Sequence, residues 1–500
     1  MNFDFDMIVL LLFLVPLIGG LLSFFIRDDK SVRTWSLIVA VATLAIAVLG
    51  TRYIKTEDAL QFSTPWLGDL NSTFSLKLDG LAKILCLLTA VAYPVIFVST
   101  WRTKYTKPNN FFALMLLTQA GLMGVFTSMD ALAFYFFWEL ALIPVYFLCS
   151  GWGGERRIQV TFKFFIYTFT GSVLMLIGLL YLYFLTPDRS FSIQSFYALA
   201  DQKNWNQTLV FWLLFAAFAV KMPIFPFHTW QPDTYEQSPN AVTMVLSGLM
   251  VKMGVYGVIR WVLPVTATAA YAWGDVVSTL AVIGIIYASI LAIQQNDLKR
   301  LIAYSSIAHI GIMALAIFAE TQLALQGVMM QMFNHGINII GLWIVVEMIE
   351  RQFGTRKLSE LGGVATKAPA LATLLVIMAF ANISLPLTNA FVGEFMMFGG
   401  IFTSTYSKYN FVFTVLALLS IILAAVYTLT MVQKVFFGPV NERTAGAVDI
   451  RLNEKLALSV LVVIIFLFGV YPQPLLNITN EFSQSIINNS TKVLSQAFNQ

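Results

Sequence analysis

The sequence predicts an all-α fold of about fourteen membrane-spanning helices, and three observations predict it. Hydrophobic residues make up 58% of the 500-residue chain and charged residues only 11%, where a soluble domain carries about 25% charged residues. Mean hydropathy is +0.77. Apolar runs recur along the whole chain, each of the ~20 residues needed to cross ~30 Å of hydrocarbon as a helix. No stretch shows the two-residue alternation of a barrel strand, the other way to satisfy a backbone in lipid.

Taken in order, the spans begin near Met7, Arg33, Asp79, Asn110, Asp130, Thr161, Gln207, Pro239, Tyr271, Lys299, Gln322, Pro369, Asn410 and Lys455. The first, MNFDFDMIVLLLFLVPLIGG, lacks a basic leader and a small-residue cleavage site and reads as a retained helix. The connections near Thr51–Lys77, Pro187–Asn206 and Gly438–Glu454 have the size of loops, and a short tail follows the last span. Cys86 and Cys149 fall inside apolar helices and read as packing residues. No basic run suits nucleic acid, and the pI near 8.8 reflects basic loops.

Those loops choose an orientation. Nineteen basic residues follow odd-numbered spans: Arg27, Lys30, Arg33, Arg102, Lys104, Lys107, Arg156, Arg157, Lys163, Lys299, Arg300, Arg351, Arg356, Lys357, Lys367, Lys434, Arg443, Arg451 and Lys455. Seven lie on the other side: Arg52, Lys55, Lys77, Arg189, Lys203, Lys408 and Lys492. The rule that positive loops stay inside puts both termini on the non-cytoplasmic side.

Lys83, Lys221, Lys252 and Arg260 belong to neither set. Lys83 is four residues from Asp79, a pairing distance on a helix. Arg260 is near a helix end and reads as snorkelling, and Glu347 and Glu350 approach the basic interface. Glu139 stands alone in FYFFWELALIP, and Lys252 in SGLMVKMGVYG. A charge at that depth costs about 2.5–3.5 kcal/mol even on the insertion scale, so it needs a partner or a wet cavity. Lys221 precedes MPIFPFHTWQPD, and Glu394 follows ISLPLTNAFVG. Proline breaks a helix, and a break at membrane depth survives where it lines a cavity. Two broken helices five spans apart, each with an ionisable residue, suggest two related half-units. His309, with Ser305 one turn before it, and His335 are mid-helix. Each alone reads as packing; between Lys252 and Glu394 along the chain they also read as a proton relay. No metal-ligand spacing, phosphate loop or haem motif appears.

The stretches FYFFWELALIPVY, AVKMPIFPFHTWQPDTYEQSPNAVTMVLSGLMVKMGVYGVIRW, QNDLKRLIAYSSIAHIG and FVGEFMMF resemble the antiporter-like subunits of proton-pumping NADH:quinone oxidoreductase, respiratory complex I. The likeness covers spans 3 to 14, and it is strongest for the M (chain 4) type, which carries glutamate, here Glu394, where the L and N types carry lysine. The resemblance implies two inverted five-helix repeats with broken helices 7 and 12: residues 1–108 as spans 1–3, 109–265 as spans 4–8, 266–436 as spans 9–13, and 437–500 as span 14 with its tail. It implies proton translocation through Glu139, paired with Lys221, then Lys252, His309, His335 and Glu394. It further implies no cofactor or metal in this chain, with NAD, FMN, iron–sulfur clusters and quinone held by partner subunits. The expected neighbours are the L- and N-type subunits in a bacterial-type inner (plasma) membrane. Two departures from the family pattern stand out. Tyr235 replaces a usual histidine, which weakens a proton role there, and Leu387 replaces a glycine at the second break, which stiffens it. The alternative is a subunit of a multisubunit cation (Na⁺)/proton antiporter, which shares the fold.

Overall fold

In the computed structural model, which describes residues 6–52, 60–202 and 204–498, helices start where the chain supplies caps. The first spans are α1 (Asp6–Ser23), α2 (Asp29–Arg52), α3 (Gly80–Ser99), α4 (Pro108–Thr127), α5 (Ala131–Trp152) and α6 (Arg157–Leu185). Asp79 and Asp130 cap α3 and α5 by accepting backbone N–H groups, and Pro108 supplies a preset φ at the start of α4. A short α7 (Ile193–Leu199) precedes the seventh span, which is split into α8 (Gln207–Lys221) and α9 (Trp230–Gln237). Then come α10 (Asn240–Val262), α11 (Ala267–Gln294), α12 (Leu298–Ile317) and α13 (Gln322–Phe353). The twelfth span is split into α14 (Pro369–Asn382) and α15 (Asn389–Phe402); α16 (Asn410–Phe437) and α17 (Leu452–Val470) complete the fourteen. All begin within a few residues of the expected positions.

Five spans reverse the direction of the chain, so spans 4–8 and 9–13 are inverted with respect to each other, with a break in the fourth span of each. The bundle sorts its helices by burial. The apolar stretch of α10 is wholly buried and that of α13 nearly so (94%), whereas those of α6 and α16 are 39% buried. The outer helices turn Phe162, Phe184, Phe411 and Ile422 outward, as lipid contact requires.

Two connections carry structure that the sequence reading leaves as loop or tail. Strands β1 (Gln61–Leu67) and β2 (Ser72–Lys77) form an antiparallel hairpin with Phe62 opposite Leu76. Asp130 anchors it, accepting from Ser72 Oγ and Thr73 N, each at 3.0 Å. The tail forms α18 (Gln473–Phe498), a 26-residue helix lying on α3, α11 and α13. Leu475, Phe482, Ile486 and Val493 form its buried stripe, spaced four and seven residues apart as one helix face demands.

Arg260 does not snorkel. It is buried and bound to Asp79, with Nη2 at 2.6 Å from Oδ2, and its guanidinium lies 4.7 Å from the centre of the Phe482 ring on α18. Removing one partner of a buried pair strands the other charge, a loss of about 3–5 kcal/mol. Asp79→Ala is therefore expected to lower the thermal stability of the detergent-solubilised protein sharply, while Asp79→Leu with Arg260→Met recovers most of it; equal melting of the single variant and the wild type would refute a structural role for the pair.

One face of the bundle gathers the basic loops. Glu236 binds Arg156, Arg300 and Arg356, and Asp233 binds Lys163 and Arg300. Glu350 binds Lys299 and Arg356, and Glu347 accepts from Thr103 and Asn240. Glu347 and Glu350 thus do reach this interface, held by partners. Of the seven basic residues on the other side, Lys55 and Lys203 lie outside the described residues. Cys86 and Cys149 are buried and free, as packing residues are.

Candidate functional site

The break in the seventh span begins at Lys221, the last residue of α8. Pro223 and Pro226 remove two donors there, and the indole of Trp230 supplies one, Nε1 donating to Val220 O at 3.0 Å. Gly254 of α10 faces the break; a Cβ there would stand 2.6 Å from Phe218 O and 2.7 Å from Met222 N. Only glycine lets the eighth span lie this close. The second break runs from Asn382 to Asn389. On α13, Asn334 Nδ2 donates to Asn389 O at 2.8 Å and, one turn on, Asn338 Nδ2 donates to Ala381 O at 3.2 Å. Two asparagines thus hold the carbonyls on either side of the gap, a role that their spacing about His335 could have signalled. Leu387 adopts φ +75°, a left-handed conformation that glycine takes freely and leucine does not. The substitution accordingly strains the link; the chain still breaks at this point.

The two breaks are electrostatic opposites. Lys221 sits at the C-terminal end of a half-helix and Glu394 in the second turn of one, α15. Helix dipoles favour a cation at the first position and an anion at the second.

Between them the structure assembles four of the six residues singled out from the sequence. Lys252 is fully buried in α10 between two π-helical segments, Leu246–Met250 and Val258–Val262. Such turns, frequent at functional sites, leave no mark in the hydrophobic pattern. Lys252 Nζ donates to Ser247 O at 2.9 Å and meets His335 Nδ1 at 2.8 Å. The His335 and His309 rings are 5.6 Å apart, centre to centre. His309 Nδ1 lies 3.2 Å from Glu394 Oε1, which also accepts from Gln331 Nε2 at 3.3 Å. Each imidazole keeps Nε2 buried without a partner. The ammonium of Lys252 has only donors, so His335 accepts at Nδ1 and holds its own proton at Nε2. His309, giving Nδ1–H to Glu394, presents a lone pair at Nε2. A proton entering one nitrogen of either ring can leave by the other. Ser305, one turn before His309, bonds Tyr427 OH at 3.0 Å and Asn382 instead of the histidine. A cavity of about 10 Å³, lined by His309, Asn382, Glu394, Ser420 and Tyr427, is near the lower limit for one water.

The other two residues, Glu139 and Lys221, are not hydrogen-bonded to each other. Lys221 Nζ and Glu139 Oε1 are buried with no hydrogen-bond partner. The ammonium stands 5.6 Å from the Trp138 ring centre and 5.9 Å from that of Phe164, within cation–π range. Tyr235 is fully buried against Trp230 and Trp343. On the basic face a cavity of about 830 Å³, lined by Glu236, Asn240, Lys299, Glu347, Glu350 and Arg356 among others, opens at the first turn of α10. No group of three or more His, Cys, Asp or Glu side chains that could hold a metal occurs among the described residues.

Among the described residues, fourteen spans, two inverted units with opposed half-helix charges and a buried lysine–histidine–glutamate chain define a membrane protein of the antiporter-like class. Residues 128–423 match the family described as NADH:quinone oxidoreductase/Mrp antiporter transmembrane proteins. The chain is 35% identical to NADH-quinone oxidoreductase subunit M of Rickettsia prowazekii over 476 residues, 93% of this chain and 95% of that one. It belongs to this family. Among solved structures it is similar to a chain of respiratory complex I from Thermus thermophilus with bound NADH, with TM-score 0.87 and 26% identity over 96% of this chain and 99% of that one. The Mrp complex from Dietzia sp. holds a chain of the same fold, with TM-score 0.86 and 19% identity over 99% of this chain and 100% of that one.

Proposed function

We propose that this chain is a proton-translocating membrane-arm subunit of an NADH:quinone oxidoreductase, working beside L- and N-type antiporter-like subunits and driven by quinone reduction elsewhere in the complex. The carrying observation is the buried sequence Lys252, His335, His309, Glu394, in contact at both ends with the two imidazole rings 5.6 Å apart between them. The half-units take residues 109–265 and 266–436, between 1–108 and 437–500. The arginine-rich face is cytoplasmic and both termini are external, in a bacterial-type inner membrane. NAD, FMN, iron–sulfur clusters and quinone belong to partner subunits, and the redox step takes place there.

Protons enter by the cavity on the arginine-rich face and reach Lys221 and Lys252 through water. Glu139 is the switch. Drawn against Lys221 it stabilises the ammonium; drawn away, it leaves Trp138 and Phe164 as weak replacements and the proton moves to Lys252. From there it passes His335 and His309 to Glu394. Lifting a proton against ~150–200 mV takes about 3.5–4.6 kcal/mol, a swing of roughly three pKa units. Separating a buried ion pair supplies a change of that order.

The antiporter reading shares the fold; the acid at Glu394, where that family carries lysine more often, favours the oxidoreductase. The test is NADH-driven proton uptake into inverted membrane vesicles, with quinone reduction followed in parallel, for wild type, Lys221→Ala and Glu139→Gln. Both variants are expected to lose most uptake in a fully assembled complex. Undiminished uptake in both would sink the reading, and altered sodium/proton exchange in its place would move the chain to the antiporter branch.

A further inference from the structure

The relay ends at Glu394, still buried, and the way from there to the far face carries an acid that no step so far uses. Glu320 lies in the turn between α12 and α13, 3% exposed and at φ +47°. A left-handed turn position suits glycine or asparagine, and a buried carboxyl normally has a partner. Glu320 is neither glycine nor asparagine, and its carboxyl is only half satisfied. Its Oε2 is buried without a hydrogen bond. The turn is clamped to the half-helix that bears Glu394. Thr321 Oγ1 donates to Gly400 O at 3.1 Å, and Ser404 Oγ to Ala319 O at 2.6 Å. Glu394 and Gly400 are six residues apart on α15, about 9 Å of rise. Above the carboxyl lies α18, with buried Ser490 facing it. The titratable group facing it is Tyr406, after α15, whose ring in turn meets that of Tyr271 of α11 at 5.9 Å between centres. Lys492 of α18 is engaged by Asp201 at 3.9 Å. Tyr406 OH lies 3.3 Å from Oγ1 of exposed Thr491, so the pocket is one hydroxyl from the surface.

We propose that Glu320 is the release group of the pump, taking the proton from Glu394 and passing it to the exterior beside Tyr406 and Thr491. This rests on the proton-moving reading above. In the step, the O–H bond of the Glu394 acid breaks and one forms on the Glu320 carboxylate, each oxygen keeping its electron pair. Water carries the proton across the apolar interval of Met397 and Ile401, and Glu394 returns to the carboxylate. Burial raises the Glu320 carboxyl to about 7, with Ser490 opposing. Above that pH outside, the group empties and accepts the next proton; below it, the group stays filled and turnover slows.

The experiment uses the intact complex in inverted vesicles whose lumen, equivalent to the exterior, is buffered from pH ~6 to ~8.5. Wild-type NADH-driven uptake is expected to rise with luminal pH through a midpoint near 7. Glu320→Gln is expected to lower uptake at high luminal pH roughly tenfold and to flatten the profile, and Glu320→Asp to retain activity with a displaced midpoint. Wild-type uptake and profile in Glu320→Gln, where Lys252→Met abolishes uptake in the same preparation, would overturn the release role and leave the relay standing. No effect of either variant would fail the relay itself. If Glu320→Gln does not assemble, an unmoved midpoint in Glu320→Asp overturns the proposal.

Discussion

Lys252→Met is expected to abolish NADH-driven proton uptake, by roughly 10²-fold or more, in a complex that assembles normally. In the proposed relay Lys252 is the point at which the first half-unit enters: its Nζ lies 2.8 Å from His335 Nδ1 and 2.9 Å from Ser247 O. Methionine matches the length of the side chain and suits a fully buried site. Replacing a buried charge by an apolar side chain also costs little stability and can add some. Lost pumping can therefore be separated from lost fold, by native electrophoresis of the complex and a thermal melt beside the uptake assay. Pumping at the wild-type rate in the methionine variant would mean that protons cross by a route avoiding Lys252.

Glu394→Gln should have an effect of similar size from the other end of the relay. The amide keeps the volume of the side chain and its oxygen can still accept from Gln331 and His309, now 3.3 and 3.2 Å from Glu394 Oε1. What it lacks is an exchangeable proton and the negative charge that suits the N-terminal half of α15. Uptake is expected to fall roughly 10²-fold, with quinone reduction slowed if the proposed pump is obligately coupled and its exit is blocked. Retained quinone reduction without uptake would instead mark a slipping pump, and unchanged uptake would remove Glu394 from the path. Together with the Asp79, Glu139, Lys221 and Glu320 variants, these two changes sample the frame, the switch, the middle and both exit positions of the proposed pump.

Much of this was legible in the chain. Deep charges in apolar helices are costly enough that Glu139, Lys221, Lys252 and Glu394 stood out without any structure. The prolines at 223, 226 and 386 marked the breaks because a missing N–H cannot be hidden in lipid. Arg260 misled, since a place near a helix end looks like snorkelling distance; its partner, Asp79, is 181 positions away. Ser305 misled in the same manner, being one turn from His309 yet turned toward Tyr427.

By itself, then, the sequence determined the class of fold, the number and order of spans, the two breaks and the residues that carry charge into the membrane. These follow from local cost: the period of apolar residues, missing donors and the desolvation of single ions. Only the tertiary structure decided which of those residues meet. It set Lys252 against His335 through π turns in α10, bridged the second break with Asn334 and Asn338, and left Glu139 and Lys221 without a hydrogen bond to each other. It also folded a polar tail into the amphipathic α18 over Arg260 and Glu320. Each of these depends on contacts between distant segments, whose geometry comes from the packing of whole helices and leaves no period in the chain.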